Sequence, residues 1–183
     1  MARRLRLSSR TSLSLAAVAL FAVAGCGGNE FEAEPAGVPT PPPTTRPADP
    51  GPVQVTVQNA KDFSLRPFVT VNRGELPTQL QTTDLIPGTG RTAAVTDTVT
   101  VQYVGSIARN GQEFDSSWDT GQPATFPLNQ VIPGFRDGIA GMKEGGRRQI
   151  IMPPDQAYGP QGAGSAIGPN ETLIFIVDLV KIN

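Results

Sequence analysis

V-I-P-G-F-R-D-G-I-A-G, residues 131–141, is the stretch from which the fold of this chain can be read. Phe135, Ile139 and Met142 recur at helical spacing, and Val131 and Ile132 lead in through Pro133 and Gly134, so the segment predicts a short helix with a tight entry. One short helix cannot bury its own apolar stripe and needs a second layer. Thr98–Val104 upstream, and Arg147–Met152 and Thr172–Ile182 downstream, have strand character. The expected arrangement is α+β: a curved antiparallel half-barrel sheet wrapped around one short helix, with the active site at the helix lead-in.

The other elements follow from local pattern. In T-V-T-V-Q-Y-V (98–104) strict alternation puts Val99, Val101 and Tyr103 on the face toward the helix, and in the last strand Leu173, Phe175, Val177 and Leu179 share a face. Gln79–Leu85 reads as a strand. So does Glu113–Ser117, which a polar stretch to Pro123 interrupts before Phe126–Leu128 resumes it. Asn110-Gly111 is a type I′ hairpin signal, because both residues tolerate positive φ. The pair Arg147-Arg148 reads as a solvated strand face. Pro153–Pro169 is a long Gly/Pro/Ala loop, and loops of that length in compact domains are usually functional.

The chain has 183 residues, Pro and Gly making up about a fifth, which leaves room for one ordinary domain with appendages. It has no histidine and one cysteine. Ser/His/Asp and Cys/His nucleophile systems, an intrachain disulfide and a Cys/His zinc site are therefore excluded, and no cofactor or metal is expected.

Residues 1–25 carry Arg3, Arg4, Arg6 and Arg10 and then an apolar run from Leu13 to Ala24. This is the pattern of a secretory signal, too short for a comfortable membrane span. Its end, V-A-G-C (23–26), resembles a bacterial lipobox, which implies a signal peptide over 1–25 and lipidation of Cys26. Without residues 1–25, which hold four arginines and no acid, 11 basic residues face 16 acidic ones, a formal charge of −5. Nucleic acid is not an expected partner of such a surface. Residues 26–52 hold eight prolines between Pro35 and Pro52 and read as a disordered polyproline-rich tether. Val53, Val55 and Val57 then alternate, and 53–74 reads as an extension that packs on the main domain, the alternative being an apolar but mobile linker. The main domain is placed at 75–183, which should fold alone because it holds the helix and every strand assigned to the sheet. The extension is then expected to add stability and little activity.

Five separated segments, V-Q-Y-V-G (101–105), N-G-Q-E-F-D-S-S (110–117), V-I-P-G-F (131–135), P-P-D-Q-A-Y-G (153–159) and T-L-I-F-I-V-D-L (172–179), together resemble the FKBP-type peptidyl-prolyl cis-trans isomerases. The resemblance implies a pocket between helix and sheet. Carried onto this sequence, its catalytic positions are Tyr103, Phe114, Asp115, Ile132, Tyr158 and Phe175, and its substrate-binding positions are Val131, Phe135, Ile167 and Phe126. The Ile132 N–H and the Tyr158 hydroxyl would hold substrate carbonyls, with Phe135 as the floor and Asp115 partly buried among donors. Relatives that bind macrolides well carry tryptophan, arginine, phenylalanine and histidine where this chain has Phe135, Thr120, Ala124 and Ala163, which implies weak macrolide binding.

Taken together, these readings make the protein an exported, lipid-anchored isomerase acting on X-Pro bonds of folding polypeptides. It would sit on the outer face of the cell membrane or on a periplasm-facing membrane. The alternative is a non-catalytic chaperone or adaptor module gripping proline-containing segments in the same pocket.

Overall fold

The computed structural model describes residues 50–183. The signal, Cys26 and most of the tether fall in residues 1–49 and lie outside the described residues. The elements are β1 (Val55–Gln58), β2 (Phe68–Val71), β3 (Gln81–Ile86), β4 (Thr98–Ile107), β5 (Glu113–Ser116), β6 (Ala124–Pro127), α1 (Pro133–Ile139), β7 (Gly146–Met152) and β8 (Leu173–Ile182). Strands β3 to β8 form one six-stranded antiparallel sheet in the order β3-β7-β8-β4-β5, with β6 also paired to β4. The start of β4 pairs with β6 and its end with β5, so the polar stretch between them divides one sheet edge into two short strands. The α+β half-barrel with one helix is thus the observed fold.

The helix enters at Pro133, whose fixed φ and missing N–H suit the first helical position. It lies directly on β7: a Cβ on Gly138 would come within 2.6 Å of Ile150 Cγ2. Phe135 and Ile139 from the helix, Met142 just beyond it, Val99 and Val101 from β4, Ile150 and Met152 from β7, and Leu173, Phe175, Val177 and Leu179 from β8 form the main core. Each core-facing strand supplies every second residue to this face, as the pleat requires.

The opposite face of the sheet is buried as well. Ile151, Ile174, Ile176 and Ala108 pack against Val55 and Val57 of β1 and Val69 and Val71 of β2, which pair as a separate antiparallel hairpin. This explains why β8 is apolar at consecutive positions rather than alternate ones. The span 75–183 holds every strand of the large sheet, and the cover of its outer face comes from the hairpin in residues 53–74, which packs on it.

Two sequence expectations fail here for definable reasons. Arg147 is fully buried rather than solvated: its guanidinium makes a paired contact with Asp178, itself buried, the Nη2–Oδ2 distance being 2.7 Å. Its remaining N–H groups donate to the carbonyls of Asn59, Asp62 and Leu65 in the hairpin loop, so all five guanidinium donors are used. Arg148 donates to the carbonyls of Gly138 (3.0 Å) and Ala140 (3.2 Å) at the end of α1 and to Asp84 (2.6 Å), satisfying orphan helix carbonyls. The Asn110-Gly111 turn is not type I′. Gly111 has φ of 73° but Asn110 is not in the left-handed region, because a four-residue loop closes between Ile107 and Gln112 and the Asn110 side chain accepts the Gln112 N–H instead.

Candidate active site

β4 and β8 run side by side through the middle of the sheet and bring Tyr103 and Phe175 beneath the helix, while β5 carries Phe114 and Asp115 along the edge. Gly105 makes this possible. It lies opposite Asp115 on one side and Phe175 on the other, and a Cβ there would meet Phe114 at 2.7 Å and Phe175 at 2.9 Å. The helix contributes Phe135, only 5% exposed, whose ring stands edge-on to those of Phe175 (5.2 Å between centroids), Phe126 (6.0 Å) and Tyr103 (6.3 Å). Phe114 meets Phe175 edge to face at 5.6 Å. Such edge-on contacts put the positive ring edges against neighbouring ring faces and fix the side chains mutually.

These rings enclose a cavity of about 400 Å³ lined by Tyr103, Phe114, Asp115, Phe126, Gln130, Val131, Ile132, Phe135, Tyr158 and Phe175. Nine of the ten residues named from the sequence as catalytic or substrate-binding therefore line one cavity. Ile167 is the exception. It is buried in the main core, 5% exposed, and bridges back to Ala163 within the 153–169 loop. Gln130 is the residue that sequence reasoning missed, although it immediately precedes the V-I-P-G-F motif.

Polar groups are few and placed at the rim. The Tyr103 hydroxyl donates to Asp115 Oδ2 at 2.6 Å. Burial, and then the hydrogen bond to and charge of Asp115, push the Tyr103 phenol above its usual range, so it stays protonated throughout the physiological span. Asp115 is exposed rather than partly buried: β5 is an edge strand in which exposed Glu113 and Asp115 alternate with the more buried Phe114 and Ser116, and the Asp115 carboxylate stands at the cavity rim. Ser117 locks the same region, accepting the Tyr103 N–H at 2.8 Å and donating to Gln102. At the helix entry the Ile132 carbonyl accepts from Phe135 and Arg136, while its own N–H has no partner among the described residues. Tyr158, 38% exposed, lies between two single 3₁₀ turns of the long loop. No group of three or more His, Cys, Asp or Glu side chains is placed to hold a metal among the described residues.

The cavity is thus mainly aromatic, with one carboxylate at its rim. The family model described as FKBP-type peptidyl-prolyl cis-trans isomerase matches residues 89–180. A probable FK506-binding protein of Corynebacterium glutamicum is 47% identical over 116 residues, which are 63% of this chain and 98% of that protein. The peptidyl-prolyl cis-trans isomerase Mip of Coxiella burnetii is 45% identical over 64% of this chain and 53% of its own length. Among solved structures, FkpA from Escherichia coli superposes with a TM-score of 0.55 at 37% identity, over 60% of this chain and 51% of that one. The chain belongs to the FKBP-type peptidyl-prolyl cis-trans isomerase family, and its activity is the isomerisation of X-Pro peptide bonds.

Proposed function

We propose that isomerisation takes place in the Phe135-floored cavity, with Tyr103, Phe114, Asp115, Ile132, Tyr158 and Phe175 acting on the X-Pro amide and Val131 and Phe126 flanking the prolyl ring. The observation that carries the reading is the lining: six aromatic residues and a single ionisable carboxylate. Rotation about X-Pro is slow because resonance stabilises the planar amide. Twisting removes that resonance, leaving the carbonyl less polar and the prolyl nitrogen more basic. An apolar cavity disfavours the polar planar form more than the twisted one, provided donors hold the flanking carbonyls in a twisted pose. The Ile132 N–H and the Tyr158 hydroxyl are suited to that holding. The test is acceleration of X-Pro isomerisation by the purified protein in a peptide or refolding assay. A folded protein that binds proline-containing peptide without acceleration would make it a binding module instead.

The clients in this reading are exported polypeptides, and the protein is held at a membrane by a lipid on Cys26, through the proline-rich segment that follows. Support comes from the V-A-G-C junction and from a relative in Legionella longbeachae, 41% identical, that is named outer membrane protein MIP. No helix among the described residues is long and apolar enough to cross a membrane. Cys26→Ser is expected to release the processed protein from membranes, checked by fractionation and radiolabelled-lipid incorporation; an unacylated variant that remains wholly membrane-bound would overturn the anchor.

Macrolide binding is expected to be weak, because Phe135 offers less aromatic area than an indole and no ring N–H, and Ala124 and Ala163 supply little flanking contact. Phe135→Trp should tighten it about two- to twelvefold, the equivalent of roughly 0.5–1.5 kcal/mol for an added aromatic contact. Unchanged or weaker affinity by titration calorimetry in a folded variant would count against this account.

A further inference from the structure

We propose that Arg66, on the N-terminal hairpin, is a positioning residue for the isomerase site, holding the β5 wall of the cavity at both of its ends. Arg66 Nη1 donates to Asp119 Oδ1 at 2.7 Å, and its Nη2 pairs with Glu113. Glu113 is the first residue of β5, and Asp119 ends the 3₁₀ turn that follows the strand. Between these two carboxylates lie Phe114 and Asp115, both lining the cavity. One planar guanidinium therefore spans the wall from outside, a geometry that arginine supports and lysine does not.

The strand needs such a clamp. β5 is four residues long, lies at the sheet edge and pairs only with β4, through three residue pairs and a register shift between Gly105 and Ser106. The backbone that carries Arg66 is held on both sides. The preceding carbonyl, of Leu65, accepts from buried Arg147, the Arg66 carbonyl accepts from Asn59 Nδ2 at 2.8 Å, and the following Pro67 is buried. Stability alone explains the clamp poorly, since the Arg66 Nε–H is enclosed without a partner and the Asp119 side chain is 62% exposed. What the contact does provide is a defined place for Asp115, whose carboxylate accepts the Tyr103 hydroxyl. The hairpin is thereby coupled to the reaction, in place of the small effect on activity expected when 53–74 is treated as a stabilising extension.

The inference rests on the reading of this cavity as the isomerase site, and the experiment separates the two. Trp118, the only tryptophan of the chain, stands between Ser117 and Asp119 in the clamped turn and reports its geometry by fluorescence. In the full chain, Arg66→Ala should shift Trp118 emission and lower kcat/KM about three- to tenfold, a fraction of the loss that a 1 Å misplacement can cause. Arg66→Lys should recover only part of the rate. In an Asp115→Leu background Arg66→Ala should add little further loss, because the clamp acts through that wall; a merely structural role would make the two losses multiply. Should Arg66→Ala not fold, the pair Glu113→Ala and Asp119→Ala removes the same contacts and carries the same expectations. A folded variant with wild-type kcat/KM and unchanged Trp118 emission, or strictly multiplicative losses, overturns the role of Arg66. No acceleration by wild-type protein in the same assay overturns the isomerase reading and this inference with it.

Discussion

Arg147→Ala should lower the unfolding free energy by about 3–5 kcal/mol, the range for breaking a buried ion pair from one side. Asp178 is left as a buried carboxylate, 3% exposed, and three hairpin-loop carbonyls lose their donor. The loss corresponds to a Tm lower by roughly 10–20 °C for a domain of this size. The deficit should also depend on pH in a definite direction. Burial pushes the Asp178 carboxyl above its ordinary value while Arg147 pulls it back. With the arginine gone the upward push is unopposed, so the folded variant binds a proton that the unfolded chain has released. Its stability then falls as pH rises from the ordinary carboxylate pKa, about 3.9, through the raised folded value. The gap between variant and wild type should accordingly be smaller near pH 5 than near pH 8. Arg147→Met combined with Asp178→Leu should recover much of the loss, though not the three carbonyl contacts. Guanidinium chloride unfolding checks each point, and an Arg147→Ala protein within about 1 kcal/mol of wild type would show that the latch does not hold the hairpin.

That latch also marks where sequence reading stopped. The helix lead-in and the helix-facing alternations of β4 and β8 were legible because each is a local pattern with one period and one buried face. That 53–74 packs on the main domain was legible from the alternating valines, but what it packs against was not, because the second core is assembled from Val55, Val57, Val69 and Val71 against Ile151, Ile174 and Ile176, residues up to more than a hundred positions apart. Two adjacent arginines in a strand carry no local sign of burial. The available signal was Asp178, an acid inside L-I-F-I-V-D-L, since a carboxylate in a doubly buried strand requires a buried cation. Arg147 lies directly opposite it in the β7–β8 register, which only the strand pairing reveals. The site was more accessible, because its residues sit in contiguous motifs. Gly105 was within one of them, but its role as the space for Phe114 and Phe175 depends on a three-strand contact that no single motif contains. Ile167, also read from motif matching, lies in the main core cluster with Phe135 and Phe175 and is not among the residues lining the cavity.

Asp115→Leu is expected to cost about ten- to 150-fold in kcat/KM, the equivalent of roughly 1.5–3 kcal/mol for a hydrogen bond to a charged group. The carboxylate is the acceptor that fixes the Tyr103 hydroxyl at 2.6 Å, and Tyr103 in turn stands edge-on to Phe126 and Phe135 on the cavity wall. Because Asp115 is exposed, the loss should appear in rate far more than in unfolding free energy. Tyr158→Phe is the smaller change. It removes one neutral hydrogen bond to a substrate carbonyl, net roughly 0.5–1.5 kcal/mol, or about two- to twelvefold in rate. If both residues act by position and polarity, no proton moves in the rate-limiting step. Tyr103 is held protonated by burial and by Asp115, and the chain has no histidine. The wild-type rate should therefore be nearly flat between about pH 6 and 8, where a near-neutral general base would bend the profile. A steep profile that Asp115→Leu abolishes would establish proton transfer and remove the desolvation mechanism, whereas a flat profile with the two losses in this order supports catalysis by enclosure of the twisted amide.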